Sequence, residues 1–329
     1  MADDIADGGD RVGVRWHVES KGTPLPFTRG CSFYEIDPKT GLIERGFDEV
    51  EPAVFKLGAV SRFVKSMRMK IGEEPIRLVP TAVWAAYMYV VFFSDGSLPG
   101  ANALQLEGRT WEEVRDLSLN FFFVSPLLNL PIAAVVHPIL EGVFNLLLAW
   151  AALFAGFLSD ERRDKPNLFP MVPAVVGMQF LTSAFLLPYL ATRTSEKNMV
   201  ASLEEKEELP FAAKFVGESR LLGPLLGTVG TGALFWGALA RTNEFGAGFA
   251  ERSDSFWQLM SIDRVGSSFL VDLAIFALFQ GWLVDDDLRR RGVAKDDLVG
   301  LRRIAKYVPF FGLAVYLTLR PSFAQQKEP

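Results

Sequence analysis

The chain has 329 residues, of which 50% are hydrophobic and 22% charged, and its formal net charge is −5. This charge excludes the strongly basic balance typical of nucleic-acid-binding proteins, so no nucleic-acid partner is expected. The single cysteine, Cys31, excludes an internal disulfide framework and a cysteine-based zinc site. Apolar residues are clustered in long runs after residue 78, which indicates an integral membrane protein.

Residues 1–10 are acidic and contain glycine, and we expect them to be disordered. From residue 11 the pattern changes, because Val12, Val14 and Trp16 alternate with polar residues. A period of two predicts a strand with one buried face. Turn residues then separate two further short runs, so residues 11–58 are predicted to form a small three-stranded antiparallel meander.

The strings VGVRWHVESKGTPLPFTRGCSFYEID and EPAVFKLG resemble the last strands of the SnoaL-like, nuclear-transport-factor-like cone fold, in the version found in plastid proteins of plants and algae. The resemblance covers about 48 of the 329 residues, 11–58. It implies a curved sheet without the N-terminal helices that close the pocket in that fold. The apolar region that follows resembles uncharacterised plastid and cyanobacterial membrane proteins, which implies a plastid location.

Residues 59–77 carry Phe63, Met67 and Ile71 at helical spacing with basic residues between them. This pattern predicts an amphipathic helix on the membrane surface, with its basic side chains facing lipid headgroups. The alternative is a plain linker helix.

Residues 78–320 contain seven apolar segments, and residues 321–329 form a polar tail. A membrane-spanning helix needs about 20 residues, with about 17 tolerated. The predicted fold class is therefore an all-α polytopic membrane bundle of about seven transmembrane helices, with a small N-terminal antiparallel β meander. The second segment contains Pro126 and Pro131, so a re-entrant segment stays an alternative there. The segments fall at about 78–94, 117–136, 138–158, 168–192, 221–240, 265–284 and 304–319.

With seven spans, Lys and Arg near the segment ends are more numerous on the side that holds the N-terminus. The positive-inside rule then places the N-terminus on the positive side of the membrane. For a thylakoid or inner-envelope protein of a plastid this side is the stroma.

Three polar residues of the third segment, His137, Glu141 and Asn145, are four residues apart and are expected on one helix face. A carboxylate inside a span costs about 2.5–3.5 kcal/mol on insertion scales, so Glu141 is expected to be paired or protonated. The face is suited to a metal, a proton relay or the magnesium of chlorophyll, but also to simple hydrogen bonding between helices. One histidine and one carboxylate make an incomplete metal site. No arginine within a span is expected to meet Glu141, which argues against a light-harvesting protein.

Asp272 and Gln280 follow one face of the sixth segment, and Gln179 lies in the fourth. These residues either line a cavity or bond neighbouring helices. Gly223 and Gly227 have the spacing that lets two membrane helices pack closely.

The block VDDDLRRRG, residues 284–292, combines three acids with three arginines. The acids suggest a divalent-cation site. A solvated helix end, with Arg289, Arg290 and Arg291 as a positive-side anchor, is the favoured interpretation.

The sequence contains no phosphate-binding loop, HExxH motif, nucleophile elbow or dinucleotide fingerprint. We therefore expect a non-enzymatic accessory or assembly component of a photosynthetic membrane complex, whose partners are the bilayer and subunits of that complex. One alternative is a small-solute or ion carrier that uses Glu141, Asp272 and His137. Another is a pigment- or lipid-binding subunit, for which chlorophyll or lipid is the candidate ligand.

Overall fold

The computed structural model describes residues 2–20, 23–50, 67–69, 71–72, 74–105, 108–160, 169–193, 211, 213–294 and 296–322. The chain divides into two compact units, Met1–Ser66 and Met67–Pro329, which are described separately. The first unit contains a β-sheet and the second is helical. Residues 51–58 and most of the predicted interfacial helix at 59–77 lie outside the described residues.

The first unit is a four-stranded antiparallel sheet in the order β1-β2-β3-β4. Its strands are β1 (Ala2–Asp7), β2 (Arg11–Ser20), β3 (Thr23–Ile36) and β4 (Ile43–Val50). The predicted antiparallel meander is therefore present, with one strand more than the sequence pattern indicated.

The additional strand, β1, corrects the expectation of a disordered segment at 1–10. It pairs with β2, and Ile5 faces Val14 in the register. Its acidic residues are compatible with an edge strand, where charge opposes pairing with other chains. The backbone groups of β1 are satisfied by hydrogen bonds with β2. The composition of residues 1–10 alone does not indicate this pairing.

Aromatic side chains connect β2, β3 and β4. The indole Nε1 of Trp16 donates to the Ser32 hydroxyl at 2.8 Å, and the Trp16 ring fills the space where Gly30 has no side chain. Phe33 and Phe47 are directly opposite each other and stack with ring centroids 5.2 Å apart. Both of these rings remain partly exposed, at 47% and 58%.

The second unit is built from helices that are mostly long and apolar. In the described part of the chain, the helices of nine residues or more are α1 (Leu78–Met88), α2 (Gly108–Leu119), α3 (Pro138–Leu153), α4 (Met171–Thr192), α5 (Leu222–Leu239), α6 (Phe249–Met260), α7 (Arg264–Arg290), α8 (Val299–Tyr307) and α9 (Phe311–Leu319). Shorter turns extend α1 to Phe93 and α3 to Asp160.

Five helical stretches within the described residues are long and apolar enough to cross a membrane: Pro75–Phe93, Pro138–Asp160, Met171–Thr192, Leu222–Leu239 and Arg264–Arg290. Helices of this kind are compatible with an integral membrane protein. The expected number of seven is not confirmed, because the segments at 117–136 and 304–319 are not continuous helices.

The segment at 117–136 is broken soon after α2 ends. Phe122, Phe123 and Asn129 all have positive φ angles, between 49° and 59°, which a continuous right-handed helix excludes. Pro126 lies within the short helical turn Val124–Leu127, and Pro131 follows it. Two prolines within six residues remove the backbone donors that a longer helix would need.

The last apolar segment turns back between α8 and α9. We call residues Val308–Phe310 the α8–α9 turn. In this turn Phe310 has a φ angle of 58°, and Pro309 cannot donate a backbone hydrogen bond. The backbone of Gly312 then lies against the Ile304 carbonyl, so the two helices are in close contact. Neither helix exceeds nine residues, too few to cross a bilayer.

Helix α4 is also interrupted, at the α4 bend formed by Leu181 and Thr182, whose backbone angles are not helical. The Phe185 ring lies against Gly177 and has its centroid 6.0 Å from that of Phe169. In a straight helix, residues 169 and 185 would be about 24 Å apart along the axis. The two halves of α4 are therefore folded towards each other.

The helices of the second unit have two distinguishable ends. At the charged end, the carboxylate of Asp160 after α3 pairs with Arg193 after α4, and Arg193 also pairs with Asp286 near the end of α7. At the opposite end, Arg264 at the start of α7 donates to the carbonyl of Ser94, just after the α1 span, at 2.7 Å. Helices α1, α3, α5 and α7 connect these two ends.

Glycine allows α5 to pack closely on both α3 and α9. Gly142 of α3 faces the Ala233 carbonyl, and a side-chain carbon there would lie 2.6 Å from that oxygen. Gly223 faces the Ala314 carbonyl even more closely, whereas Gly227 makes an ordinary contact with Ala314. Small residues allow two helix backbones to approach in this way.

Candidate functional site among the apolar helices

The polar residues predicted within the apolar segments lie at three separate places. His137, Glu141 and Asn145 are near the opposite end, at the beginning of α3. Asp272 contacts the α4 bend, and Gln280 contacts the α8–α9 turn. A single cavity lined by Glu141, Asp272 and His137 has no support from the hydrogen bonds of the described residues.

Glu141 is fully buried and forms an ion pair with Arg241. Arg241 donates from Nε to Oε2 at 2.9 Å, and Trp236 donates its indole N–H to the same oxygen at 2.8 Å. Arg241 lies just beyond the predicted span at 221–240, so the prediction about arginines within the spans did not include this partner. Arg241 follows α5 directly, and the antiparallel packing of α5 on α3 places it beside Glu141.

His137 is the N-cap of α3 and does not bond the Glu141 side chain. Its Nδ1 accepts the backbone N–H of Ile139 at 3.3 Å, and its Nε2 lies 3.0 Å from the Ser255 hydroxyl. Because Nδ1 accepts, Nε2 carries the proton of the neutral ring and donates to Ser255. Burial lowers the pKa of His137, which favours this neutral form. Ser255 in turn donates to the Arg252 carbonyl, so this pair is not arranged as a nucleophile and base.

Asn145 and Gln179 bond backbone carbonyls of the helices. The Asn145 side-chain amide donates to the Glu141 carbonyl at 3.0 Å, within its own helix. The Gln179 amide is 3.5 Å from the Leu148 carbonyl of α3, at the outer limit for a hydrogen bond. Asn145 therefore bonds mainly within its own helix, and Gln179 makes only a weak contact with α3.

A cavity of about 410 Å³ lies next to His137 at the opposite end. Acidic residues of α2, among them Glu112, Glu113 and Asp116, line it together with Ser255. Burial and the neighbouring Asp263 carboxyl raise the pKa of Glu113 to about 8. The sequence did not reveal this cavity, because its lining residues come from segments that are distant from one another in the chain.

Asp272 is buried within α7 and faces the α4 bend. Its Oδ1 accepts the backbone N–H of Ser183 at 3.2 Å, and its Oδ2 accepts the Tyr87 hydroxyl at 3.3 Å. The Tyr87 hydroxyl is also 3.4 Å from the Thr182 hydroxyl. The carboxylate therefore caps the second half of α4, where the bend leaves backbone donors without helical partners.

Gln280 performs a similar task at the α8–α9 turn. Its side-chain amide donates to the carbonyls of Ala305 at 2.6 Å and Val308 at 3.1 Å. Its Oε1 accepts the backbone N–H of Phe310 at 3.1 Å. Asp272 and Gln280 are eight residues apart on α7, so one face of this helix serves both breaks.

The end of α7 corrects the prediction of a solvated helix end. Asp287 is fully buried, and its Oδ2 accepts from Arg291 at 2.9 Å and Arg320 at 3.0 Å. Arg290 is also buried and donates to Asp286 at 2.7 Å. Only one of the three arginines, Arg289, has a side chain that is exposed by as much as 43%.

These charges connect the ends of five apolar segments at the charged end. Besides the contacts already given, Arg291 bonds Glu218 at 2.7 Å, and Arg320 donates to the carbonyls of Gly156 and Gly217. A span end in water would have no need for such partners. The sequence did not reveal them because Asp160, Arg193, Glu218 and Arg320 are each far from residues 284–292 in the chain.

Within the residues that the structure describes, no group of three or more His, Cys, Asp and Glu could hold a metal ion. Comparison with protein-family models, curated proteins and solved structures finds no match to this chain. The SnoaL-like resemblance and the plastid location it implies thus remain predictions.

Proposed function

We propose that this chain is an integral membrane protein that carries a small solute or ion across the bilayer. The observation that carries the proposal is the pair of helix breaks inside the apolar unit, one beside Asp272 and one beside Gln280. Carriers commonly build their binding sites from interrupted helices near the middle of the membrane. Irregular backbone is tolerated at that depth only where protein groups or water satisfy it.

Exposed apolar surface supports the membrane location. Only 22% of the α1 span and 22% of the α5 span is buried within the protein. On α5 the exposed side chains include Leu225, Leu234 and Phe235, each more than half exposed. Such surfaces are rare on soluble monomers and are solvated by lipid in membrane proteins.

In the proposed topology α1, α3, α5 and α7 cross the bilayer, whereas α4 and the α8–α9 pair enter from the charged end and return to it. This arrangement accounts for the ion pairs among the ends of α3, α4 and α7. Four crossings also place the start of α1 and the end of α9 on the same side of the membrane.

The distribution of basic residues agrees with four crossings. Segments 94–137 and 240–263, on one side, contain four Arg and no Lys. Segments 161–170, 193–221 and 291–329, on the other side, contain fifteen Lys and Arg. By the positive-inside rule, the charged end then faces the cytoplasm, or the stroma in a plastid.

Flux of radioactive sodium into vesicles containing the purified chain tests the carrier function. The expected result is uptake above that of protein-free vesicles, which falls to their level for Asp272→Asn. The matched control is Asp254→Asn, because Asp254 is exposed on α6. Equal uptake by vesicles with and without the protein, under both inward and outward sodium gradients, would contradict the proposal.

A second candidate is a non-enzymatic accessory subunit of a larger membrane complex. The exposed apolar faces of α1 and α5 favour it, because they are suited to helices of other subunits as well as to lipid. A photosynthetic complex as the partner rests on the sequence resemblance alone. Co-migration with a larger complex on a native gel is expected for this function, and migration as a lone monomer in mild detergent would contradict it.

A further inference from the structure

We propose that Asp272, Tyr87, Thr182 and Ser183 form a binding site for a monovalent alkali cation at the α4 bend. The inference rests on the proposed carrier function only for the role of the ion in transport. Binding is a property of the site itself and is measured separately from flux.

The charge of Asp272 is the first argument. The carboxylate is 1% exposed, and no Lys or Arg of the described residues forms an ion pair with it. Glu141 and Asp287, the other acids buried to this degree in the apolar unit, each have an arginine partner. A buried carboxylate without a counter-charge is expensive in an apolar medium, so a bound cation would supply the charge that the protein does not.

The oxygen atoms around Asp272 are the second argument. The Tyr87 hydroxyl lies 3.3 Å from Oδ2 of Asp272 and 3.4 Å from the Thr182 hydroxyl. These contacts are longer than the usual O–H···O distance of about 2.7–2.8 Å. Grouped oxygen atoms, carboxylate oxygens above all, are the ligands that hard cations prefer.

The Ser183 hydroxyl is the third and independent argument. It is completely buried, it forms no well-directed hydrogen bond within the part of the chain that the structure describes, and it lies close enough to the Asp272 carboxylate to stabilise its charge. Its own backbone N–H is the donor to Asp272, so the hydroxyl is on the residue adjoining the carboxylate. A cation coordinated by Ser183 and Asp272 satisfies both groups.

The backbone at Thr182 indicates that this arrangement is maintained at an energetic cost. Thr182 has φ 23° and ψ −107°, a conformation that a β-branched residue rarely adopts. Strained residues of this kind occur preferentially at ligand-binding sites, where the surrounding structure enforces them. Here the strain turns the chain so that Thr182 and Ser183 both meet α7.

The charge balance selects a monovalent ion. One carboxylate and three neutral hydroxyls leave a net charge of zero with an alkali cation, but a positive charge with Mg²⁺ or Ca²⁺. A residual charge at this depth is costly. Sodium and potassium ions both have this charge and both bind oxygen ligands, so the test below distinguishes them.

The test is the thermal unfolding midpoint of the detergent-solubilised full chain in sodium, potassium and choline chloride at equal ionic strength. An alkali cation that binds the folded state is expected to raise the midpoint relative to choline, with saturation as its concentration increases. The ion with the lower half-saturating concentration is the physiological candidate. Asp272→Asn should remove this dependence on the cation.

Two milder variants keep the test decisive where Asp272→Asn fails to fold. Ser183→Ala and Thr182→Val should each raise the half-saturating concentration by about tenfold or more, the effect of losing one polar contact to a charged group. Thr228→Val is the matched control, because Thr228 is exposed on α5 and bonds only its own helix, and it should leave the concentration unchanged.

Equal midpoints of the unmodified chain in all three salts would overturn the proposal. It would also be overturned by a midpoint that responds to pH but not to the cation, since Asp272 would then bind a proton alone. Cation binding that depends on Asp272, without sodium flux into vesicles, would support the site and contradict the carrier function. Flux that persists in Asp272→Asn would contradict the role of this site in transport and would support a carrier that moves its solute without it.

Discussion

Buried charges in the apolar unit are mostly compensated one by one through specific partners. Glu141 is the simplest example, because both of its carboxylate oxygens accept from Arg241 and one also accepts from Trp236. An unpaired carboxylate at this position would have to be protonated or expelled. The ion pair therefore fixes the contact between the end of α5 and the beginning of α3.

Removing one partner of this pair should destabilise the protein more than removing both. Arg241→Met leaves Glu141 buried without its counter-charge and should cost about 3–5 kcal/mol. Combining it with Glu141→Leu should recover a large part of that loss, because the charge that needed a partner is gone. Unfolding of the single and double variants in detergent measures both values. A double variant no more stable than Arg241→Met would contradict a compensating ion pair.

Glu113 leads to a prediction of pH dependence. Its pKa in the folded protein is raised to about 8 by burial and by Asp263, so the folded state holds a proton that the unfolded state releases near its ordinary value of 4.5. Stability should therefore decrease as the pH rises from about 4.5 to 8 and change little above that range. Unfolding midpoints measured across these pH values test the direction.

The variant Glu113→Gln should remove this decrease, because the amide resembles the protonated acid and does not titrate. Glu112→Gln is the matched control, since Glu112 is the exposed neighbour on α2. An unchanged pH profile in Glu113→Gln would assign the decrease to another group.

The sequence identified the buried polar residues of the long helices but not their partners. Glu141, Asp272 and Gln280 were visible because a polar residue within an apolar run is rare. Arg241 was not recognised, since its position beside Glu141 depends on how α5 packs against α3. The same holds for Thr182 and Ser183, which appear in the sequence as ordinary residues of an apolar helix.

At the scale of the elements, the two helix breaks are stabilised by side chains of α7. Gln280 satisfies the carbonyls of Ala305 and Val308 and the N–H of Phe310. A turn that is buried among apolar helices has no water to satisfy these groups. The side chain of Gln280 therefore takes the place that water holds in an exposed turn.

Gln280→Leu should destabilise the α8–α9 turn strongly, because it keeps the volume of the side chain but leaves three backbone groups without a partner. An unsatisfied buried polar group costs about 1–3 kcal/mol, so a total loss above about 2 kcal/mol is expected. The control is Gln258→Leu on an exposed position of α6, which should change stability by less than about 0.5 kcal/mol. Detergent unfolding that shows equal stability of both variants would rule out this role of Gln280.

Hydropathy located the apolar elements well but not their breaks. Pro126 and Pro131 mark the break in the segment at 117–136, and the sequence analysis noted both. Pro309 marks the α8–α9 turn but was not noted. The α4 bend has no such signal, because Leu181 and Thr182 are neither proline nor glycine and Pro188 lies beyond the bend. Its cause is tertiary, since Asp272 and Tyr87 provide the hydrogen bonds that an interrupted helix needs.

At the scale of the whole chain, the bend in α4 determines the number of crossings in the proposed topology. A straight α4 would be a fifth span and would reverse the orientation of α5 and α7. A folded α4 returns to the charged end, as the pairing of Arg193 with Asp160 requires. Tertiary contacts, rather than hydropathy, then determine at which of the two ends of the bundle each helix begins and ends.

Single cysteines at four serines distinguish the possible topologies by labelling with a membrane-impermeant thiol reagent, in a Cys31→Ser background. The positions are Ser97, Ser219, Ser261 and Ser322, each next to the end of a helix. With four crossings, Ser97→Cys and Ser261→Cys should react from one side, and Ser219→Cys and Ser322→Cys from the other. Labelling intact and permeabilised vesicles separates the two sides.

The alternative topologies give different patterns at the same four positions. A straight α4 would place positions 97 and 261 on opposite sides, because an additional span would lie between them. Seven spans would place positions 219 and 322 on opposite sides, because the segment at 304–319 would then cross the membrane. Because the segment at 117–136 is broken and does not cross in the proposed topology, agreement of both pairs is expected where α4 and the α8–α9 pair each return to the side from which they enter. The arrangement matters for the proposed cation site, since a bend at Thr182 positions hydroxyls beside Asp272 only in a folded α4.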